Sequence, residues 1–598
     1  MVIKMNNLEL LQEKLQRNNY DAFIIPTADF HGSEYISDYF QARKYFSGFT
    51  GSAGTLLVLK HSAFLWTDGR YFIQAAMQLE DSGIELMKMG EPNVPTLTEF
   101  LNQNALTIKT LSFDGRLMST NEVLNLKRDL KPSITITLDS NLIDEAWFNR
   151  PNLPFSNLYI LSKFFAGKTF DEKLTAVRNI MKEKKTQAFI LTSLEDQAWL
   201  YNLRGNDIPH TPVFLSYTYI TNENVTLFID QNKIDLEVAK YLDNESIVIK
   251  PYNEIYEFVK TIKGKNILLD PNKANYSIYS SLVEQNNIIL DTNPTLLLKA
   301  IKNEVEIENI KEAHIKDGLA VFRFMKYLKE GYVEGINLSE ISLSDYIAKL
   351  RSESKGFIDL SFNTICAFNE HAAMMHYSAN IETNATIDAP GFLLIDSGGH
   401  YLEGTTDITR TYALGSISKE MKKHYTLVLK AVINLAKAVF LKGCRGINLD
   451  ILARGPIWNE LLDYKCGTGH GVGYLLSVHE APNGFRWKIV PERNDSAILE
   501  PGMITTDEPG IYLENKYGIR IENELLCVNA GTSQFGEFLK FETITYAPID
   551  LDAVDVSLLT KDEKDWLNDY HKMVYEKLKP EIEDINELEC LARYTKAI

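Results

Sequence analysis

The chain has 598 residues, 45% of them hydrophobic and 24% charged, and its 62 Lys+Arg against 80 Asp+Glu leave a net charge of −18. That length predicts three or four domains, and that composition excludes a disordered or fibrous chain. The acidic balance disfavours nucleic acid as a primary partner, and no stretch approaches the roughly 20 apolar residues of a membrane span.

The N-terminus, MVIKMNNLELLQEKLQ, has no apolar signal core and reads as an amphipathic helix with Leu8, Leu11 and Leu15 on one face. It leads into a strand-like run, Ala22-Phe23-Ile24-Ile25. The same order returns 166 residues later, with Leu174, Val177 and Met181 followed by Ala188-Phe189-Ile190-Leu191. DAFII and QAFIL therefore read as matching strands of two related helix-then-strand domains, although five residues are few enough for chance similarity. The basic run Lys182 to Lys185 is a solvated helix face. Pro151 and Pro154 in RPNLPFSN mark a linker before the second copy, and the alternation of helix and strand patterns predicts α/β domains with mostly buried sheets.

A third part starts near Asn293-Pro294. It opens with a long charged helix whose expected buried side is Val305, Ile307, Ile310, Ile315, Leu319, Phe322 and Met325. From Phe357 onward strand pairs joined by Gly-rich turns dominate: GFLLIDSGGHY with TTDITRTYAL, then GMITTDEPGIYL with YGIRIENELLCV. The five cysteines (Cys366, Cys444, Cys466, Cys527, Cys590) all lie in this part without CxxC spacing. They read as reduced structural thiols in a cytoplasmic protein.

Asp396 and Asp407 stand 11 residues apart at the inner ends of two apolar strands, and Glu508 and Glu522 repeat the arrangement 14 residues apart. Each alone has an ordinary reading, a turn residue for the aspartates and a partner of a neighbouring Lys or Arg for the glutamates. Glu522, flanked by Ile519, Ile521 and Leu525, is expected on a half-buried strand. Four acids in matched hairpins, with His470 between glycines in CGTGHGVG and His479 and His376 nearby in sequence, point instead to metal. A site of four carboxylates and one imidazole is hard and oxygen-rich, suited to Mn²⁺, Co²⁺ or Zn²⁺, and its four negative charges balance two divalent ions better than one. Two such ions support hydrolysis by activated water.

DSGGHYLEGTTDITRT, GTGHGVG, VHE, TDEPGIY and GIRIEN together resemble the pita-bread metallopeptidases, specifically the Xaa-Pro aminopeptidase (aminopeptidase P) family. SEYISDYFQARKYFSGFTGSAGT, LWTDGRYFIQAA, WLYNLRGNDIPHTPVFLSY and LTKDEKDWLNDYH extend the resemblance to the large three-domain form over essentially the whole chain. The fold it implies is α/β: two creatinase-like N-terminal domains, 1–154 and 155–296, then a pita-bread catalytic domain with a C-terminal extension, 297–598. Carried over, Asp396, Asp407, His470, Glu508 and Glu522 become ligands of two divalent ions, Mn²⁺ first and Zn²⁺ or Co²⁺ as alternatives, with Asp407 and Glu522 bridging. Glu508 also acts as proton shuttle for a bridging hydroxide, and His376, His479 and His470 meet the substrate. Arg520 supports the carboxylates, and Arg70 in TDGR is a substrate-binding arginine.

The activity implied is removal of the first residue from peptides with proline in second position, by a cytoplasmic homodimer without nucleic-acid or membrane partners. Prolidase shares the ligand pattern but usually lacks a second N-terminal domain. Creatinase-like C–N hydrolysis works without metal, and a non-catalytic peptide-binding scaffold would have lost ligands that this chain keeps.

Overall fold

The computed structural model describes residues 6–490 and 495–598, so the first five residues of the expected N-terminal segment lie outside it. The chain divides into two compact units, Met1–Ile160 with Lys168–Thr295, and Leu161–Gly167 with Leu296–Ile598.

The first unit contains two six-stranded sheets. In one, Ala22–Pro26 lies between Thr55–Leu59, antiparallel, and Thr110–Phe113, parallel. Ala63–Thr67 and Ile84–Lys88 extend the first flank, and Thr135–Leu138 the second. In the other, Ala188–Leu191 lies between Ser216–Thr221, antiparallel, and Asn266–Leu269, parallel. Val225–Ile229 with Val248–Lys250 and then Asn287–Leu290 complete the same pattern. Numbered within each copy, both sheets run 4-3-2-1-5-6. The two apolar runs of the sequence thus occupy equivalent central places. Each is preceded by a helix started by a capping box, Asn6 with Glu9 for Asn7–Arg17 and Thr169 with Glu172 for Phe170–Glu183. The helices bury Leu8, Leu11 and Leu15, and Leu174, Val177 and Met181. A central strand covered on both faces has no use for polar alternation, which is why AFII and AFIL are continuous.

The second unit is framed by the helix Glu304–Glu334. Its N-cap, Asn303, accepts from Val305 N and Glu306 N and donates to Ala166 O at 3.0 Å, which draws the short segment 161–167 into this unit. Ile310, Phe322 and Met325 are buried as expected, but Val305 is 40% exposed. The capping box turns Glu306 inward and leaves Val305 towards solvent. The helix buries polar groups too: His314 Nε2 lies 3.1 Å from Glu524 Oε2, and Asp317 takes Arg351 Nε at 2.5 Å.

Against this helix stand an antiparallel sheet of Ile365–Phe368, Gly391–Ser397 and Ile408–Leu414 and a larger sheet. The larger one runs in the order Val439–Leu441, Gly536–Thr543, Asn523–Ser533, Ile504–Asp507, Gly469–Gly471, Glu480–Phe485. Lys419–Ala436 shares one core with the C-terminal helices Lys561–Leu578 and Ile585–Tyr594 through Val428, Val432, Leu567, Val574 and Leu591.

Candidate metal centre

Gly391–Ser397 and Ile408–Leu414 pair so that Asp396 faces Thr409. Asp407 stands just before the second strand, where its N–H donates to Glu524 Oε1 at 2.9 Å. Ile504–Asp507 pairs with Asn523–Ser533, whereas the neighbouring Gly510–Leu513 pairs with Tyr517–Arg520. Glu508 and Glu522 fall in the short breaks where the chain passes from one ladder to the other. The half-buried strand expected around Glu522 is therefore corrected: residues 517–527 are buried throughout. Its N–H leaves the ladder to reach Thr409 O at 3.1 Å.

His470 enters the same space from a strand on which glycine is required. A Cβ at Gly469 would lie 1.8 Å from Thr506 O, and one at Gly471 2.2 Å from Glu480 O. His470 Nδ1 donates to Gly471 O at 3.0 Å, since a carbonyl can only accept. That leaves the Nε2 lone pair 3.5 Å from Asp407 Oδ2 and 3.4 Å from Glu508 Oε1, the tautomer a metal ligand needs. The preceding loop is held by Arg454, which donates to Tyr464 O at 2.8 Å and Cys466 O at 2.7 Å. Thr468 O then accepts the Glu508 N–H at 2.8 Å, tying one candidate ligand's backbone to the other's loop.

Asp407, His470 and Glu522 each present a ligand atom within 4.8 Å of the others. Asp396 Oδ1 and Asp407 Oδ1 are buried without a hydrogen-bond partner. Burial, followed by repulsion from Asp396 and Glu508, pushes Asp407 well above the carboxylate range. Burial, followed by Asp407 and Glu508, does the same to Glu522. Gathered carboxylates with orphaned oxygens are costly unless cations meet them. Arg520 supplies one positive charge: its Nη2 donates to Asp396 Oδ2 at 2.5 Å, and its Nε to Thr409 Oγ1 at 3.1 Å. Thr409 Oγ1 in turn donates to Glu522 Oε2 at 2.8 Å. One guanidinium against four carboxylates leaves a deficit that divalent ions fit, and the oxygen-rich donor set matches hard or borderline metals.

The remaining expected residues are spread more widely. The His479 ring stands edge-on to His470 with centroids 4.3 Å apart. His376 is exposed on the loop after the turn Asn369–Ala373. Glu340 anchors that loop, taking Phe368 N at 2.8 Å, His371 Nδ1 at 2.8 Å and the Tyr377 hydroxyl at 2.9 Å. Arg70 belongs to the first unit, where it grips Asp68 through Nε at 2.8 Å and Nη2 at 2.7 Å.

Sequence reasoning missed Arg410, His314, Glu524 and Glu340. Arg410 donates to Glu522 O at 2.5 Å, Thr409 O at 2.8 Å and Pro548 O at 3.0 Å. It also reaches Ala547 O and the Tyr570 hydroxyl, each at 2.9 Å. The available signal was a charged residue at a core phase of an apolar strand or helix, as in ITRTYAL.

Comparison with known proteins gives the frame. The Creatinase/Prolidase N-terminal domain matches residues 7–146 and a second form of it residues 149–306. Metallopeptidase family M24 matches residues 308–529, and its C-terminal region residues 537–598. A probable Xaa-Pro aminopeptidase P of Tuber melanosporum is 38% identical over 595 residues, covering 96% of this chain and 95% of the relative. One from Pyricularia oryzae is 38% identical with 97% of each covered. The chain belongs to the Xaa-Pro aminopeptidase P family.

Members of this family are hydrolases of the metallopeptidase class, and the architecture is two creatinase-like domains followed by a pita-bread domain. The crystal structure of an X-prolyl aminopeptidase from Caenorhabditis elegans superimposes with a TM-score of 0.92 at 34% identity, covering 100% of both chains. That protein is described as a cytosolic enzyme with a di-nuclear active site. An Xaa-Pro dipeptidase from Bacillus anthracis, at 26% identity and a TM-score of 0.50, covers only 64% of this chain. Among the described residues no helix is long and apolar enough to cross a membrane.

Proposed function

We propose that this chain removes the N-terminal residue from peptides whose second residue is proline, using two divalent metal ions held by Asp396, Asp407, His470, Glu508 and Glu522. The observation that carries the reading is the convergence of Asp407, His470 and Glu522 on one point beside two buried, unpartnered carboxylate oxygens. When bound, such ions supply Lewis acidity and lower the pKa of water.

The chain's own groups do the rest. Glu508, with a side chain 21% exposed, has room to take a proton and return it to the departing proline nitrogen. His479 donates to the oxyanion that develops on the scissile carbonyl, and preorganised donors of this kind contribute about 3–4 kcal/mol. His376 holds the peptide, and Arg520 fixes Asp396 and, through Thr409, Glu522. An Xaa-Pro amide has no N–H, so a site that asks for no donor there selects it. Manganese as the ion, a homodimer and a cytoplasmic location belong to the same reading. They rest on the carboxylate-rich donor set, on family resemblance and on the five free cysteines.

The test is hydrolysis of Arg-Pro-Pro and of an Xaa-Pro dipeptide after chelation, with and without added Mn²⁺. Metal-restored release of arginine from the tripeptide is expected. Cleavage of the dipeptide alone would make the chain a prolidase. Silence on both, with no bound metal, would make it a scaffold.

A further inference from the structure

Glu480 follows His479 directly and opens the strand that pairs with Gly469–Gly471, placing Gly471 opposite Glu480 and His470 opposite Gly484. The approach is tight, since a Cβ at Gly473 would lie 3.3 Å from Glu480 Oε2. Whatever holds the Glu480 carboxylate therefore also holds the backbone between the two histidines.

Two lysines hold it. Lys299 Nζ donates to Glu480 Oε2 at 2.9 Å, and Lys302 Nζ donates to Oε1. The three side chains are 6%, 1% and 2% exposed for Lys299, Lys302 and Glu480. The Lys302 N–H donates to Gly502 O at 3.0 Å, which ties the lysine segment to the start of the strand leading to Glu508. Stability alone does not account for the arrangement. Burying an ion pair is often no better than burying apolar side chains of similar volume, and here two ammonium groups share one carboxylate. What the cluster provides is a fixed anchor, charge-assisted at both oxygens, one residue from His479.

We propose that Lys299 and Lys302 are positioning residues that act through Glu480 to hold His479 against His470. The proposal rests on the oxyanion role given to His479 above. A displacement of about 1 Å at a catalytic group can cost about 10²-fold in rate, so loosening the anchor is expected to be felt in turnover.

The experiment is a double-mutant cycle in the full-length Mn²⁺-loaded protein, reading kcat and KM on Arg-Pro-Pro together with bound metal. Lys302→Met should lower kcat about 10-fold or more, with KM within about twofold and metal content unchanged; Lys302→Arg should restore most of the loss. In a His479→Ala background the same Lys302→Met change should alter kcat by less than about twofold. Equal losses in both backgrounds, or metal lost in step with kcat, would overturn the proposal while leaving His479 in its role. If His479→Ala by itself leaves kcat intact, the oxyanion reading fails and the proposal falls with it. Should Lys302→Met not fold, Lys299→Met leaves Glu480 with Lys302, and is judged by the same criteria.

Discussion

The central strands of the first unit and the inner strands of the second are equally buried and differently filled. Ala22–Pro26 and Ala188–Leu191 carry only apolar side chains. Gly391–Ser397 and Ile408–Leu414, buried along their whole length, carry Asp396, Thr409 and Arg410. In the first pair burial stabilises through apolar area, at about 25 cal/mol per Å². In the second, each polar group must find a hydrogen bond or a cation, and where it finds neither the site is strained towards binding one. Volume governs the one pair of strands and charge satisfaction the other.

The sharpest way to break this contrast is Asp407→Asn. Turnover on Arg-Pro-Pro should fall by about 10³-fold or more, because the substitution removes a charge from the ion site. The metal-free variant should nevertheless melt at a higher temperature than metal-free wild type, since one of the mutually repelling buried carboxylates is gone. A lower melting temperature would mean that Asp407 is satisfied without metal.

Arg410→Met comes next. It removes the guanidinium donor from the carbonyls of Glu522 and Pro548 and leaves those of Thr409 and Ala547 with one donor fewer, and urea denaturation should report a loss of about 3–5 kcal/mol.

His571 tests the same principle through pH. Its Nε2 accepts the Ile549 N–H at 3.1 Å, and burial, aided by nearby Arg410, lowers its pKa to about 4 from the ordinary 6.5. Between those values the unfolded chain binds a proton that the folded chain refuses. The contribution present above pH 6.5 is therefore lost as pH falls towards 4, by about 3 kcal/mol. Denaturation at pH 7 and pH 4.5 should show wild type losing more stability than His571→Phe. Equal losses would mean the imidazole is protonated in the folded state.

The smallest effect belongs to the first unit. Ile190→Val should cost about 0.5–1.5 kcal/mol by denaturation and leave kcat unchanged.

The same contrast decides what the sequence made legible. The repeated sheets could be read because a helix period and an apolar run are local signals, and both copies show them at the same spacing. Asp396, Asp407, His470, Glu508 and Glu522 stand out as candidates because acids and a glycine-flanked histidine interrupt patterns that otherwise run apolar, and the structure gathers Asp407, His470 and Glu522. Arg410 and Glu524 interrupt such patterns too, but their meaning lies in partners far away in the chain. Glu524 meets His314, and Arg410 meets carbonyls at 522, 547 and 548. Val305 was misassigned because periodicity says nothing about which way a capping box turns the first residues of a helix. The breaks at Glu508 and Glu522 were hidden as well, since a strand that changes partners looks like one that does not.

Tyr570 lies on Lys561–Leu578, near the end of the chain, and its hydroxyl accepts from Arg410 at 2.9 Å and donates to Ala547 O at 2.8 Å. Translation delivers the two repeated domains before the strands that carry Asp396 and Arg410, and domains generally fold as units in the order of synthesis. The floor beneath Thr409 and Glu522 is finished only when a helix 160 residues beyond Arg410 has left the ribosome, so the strands that carry these groups wait for a segment made well after them.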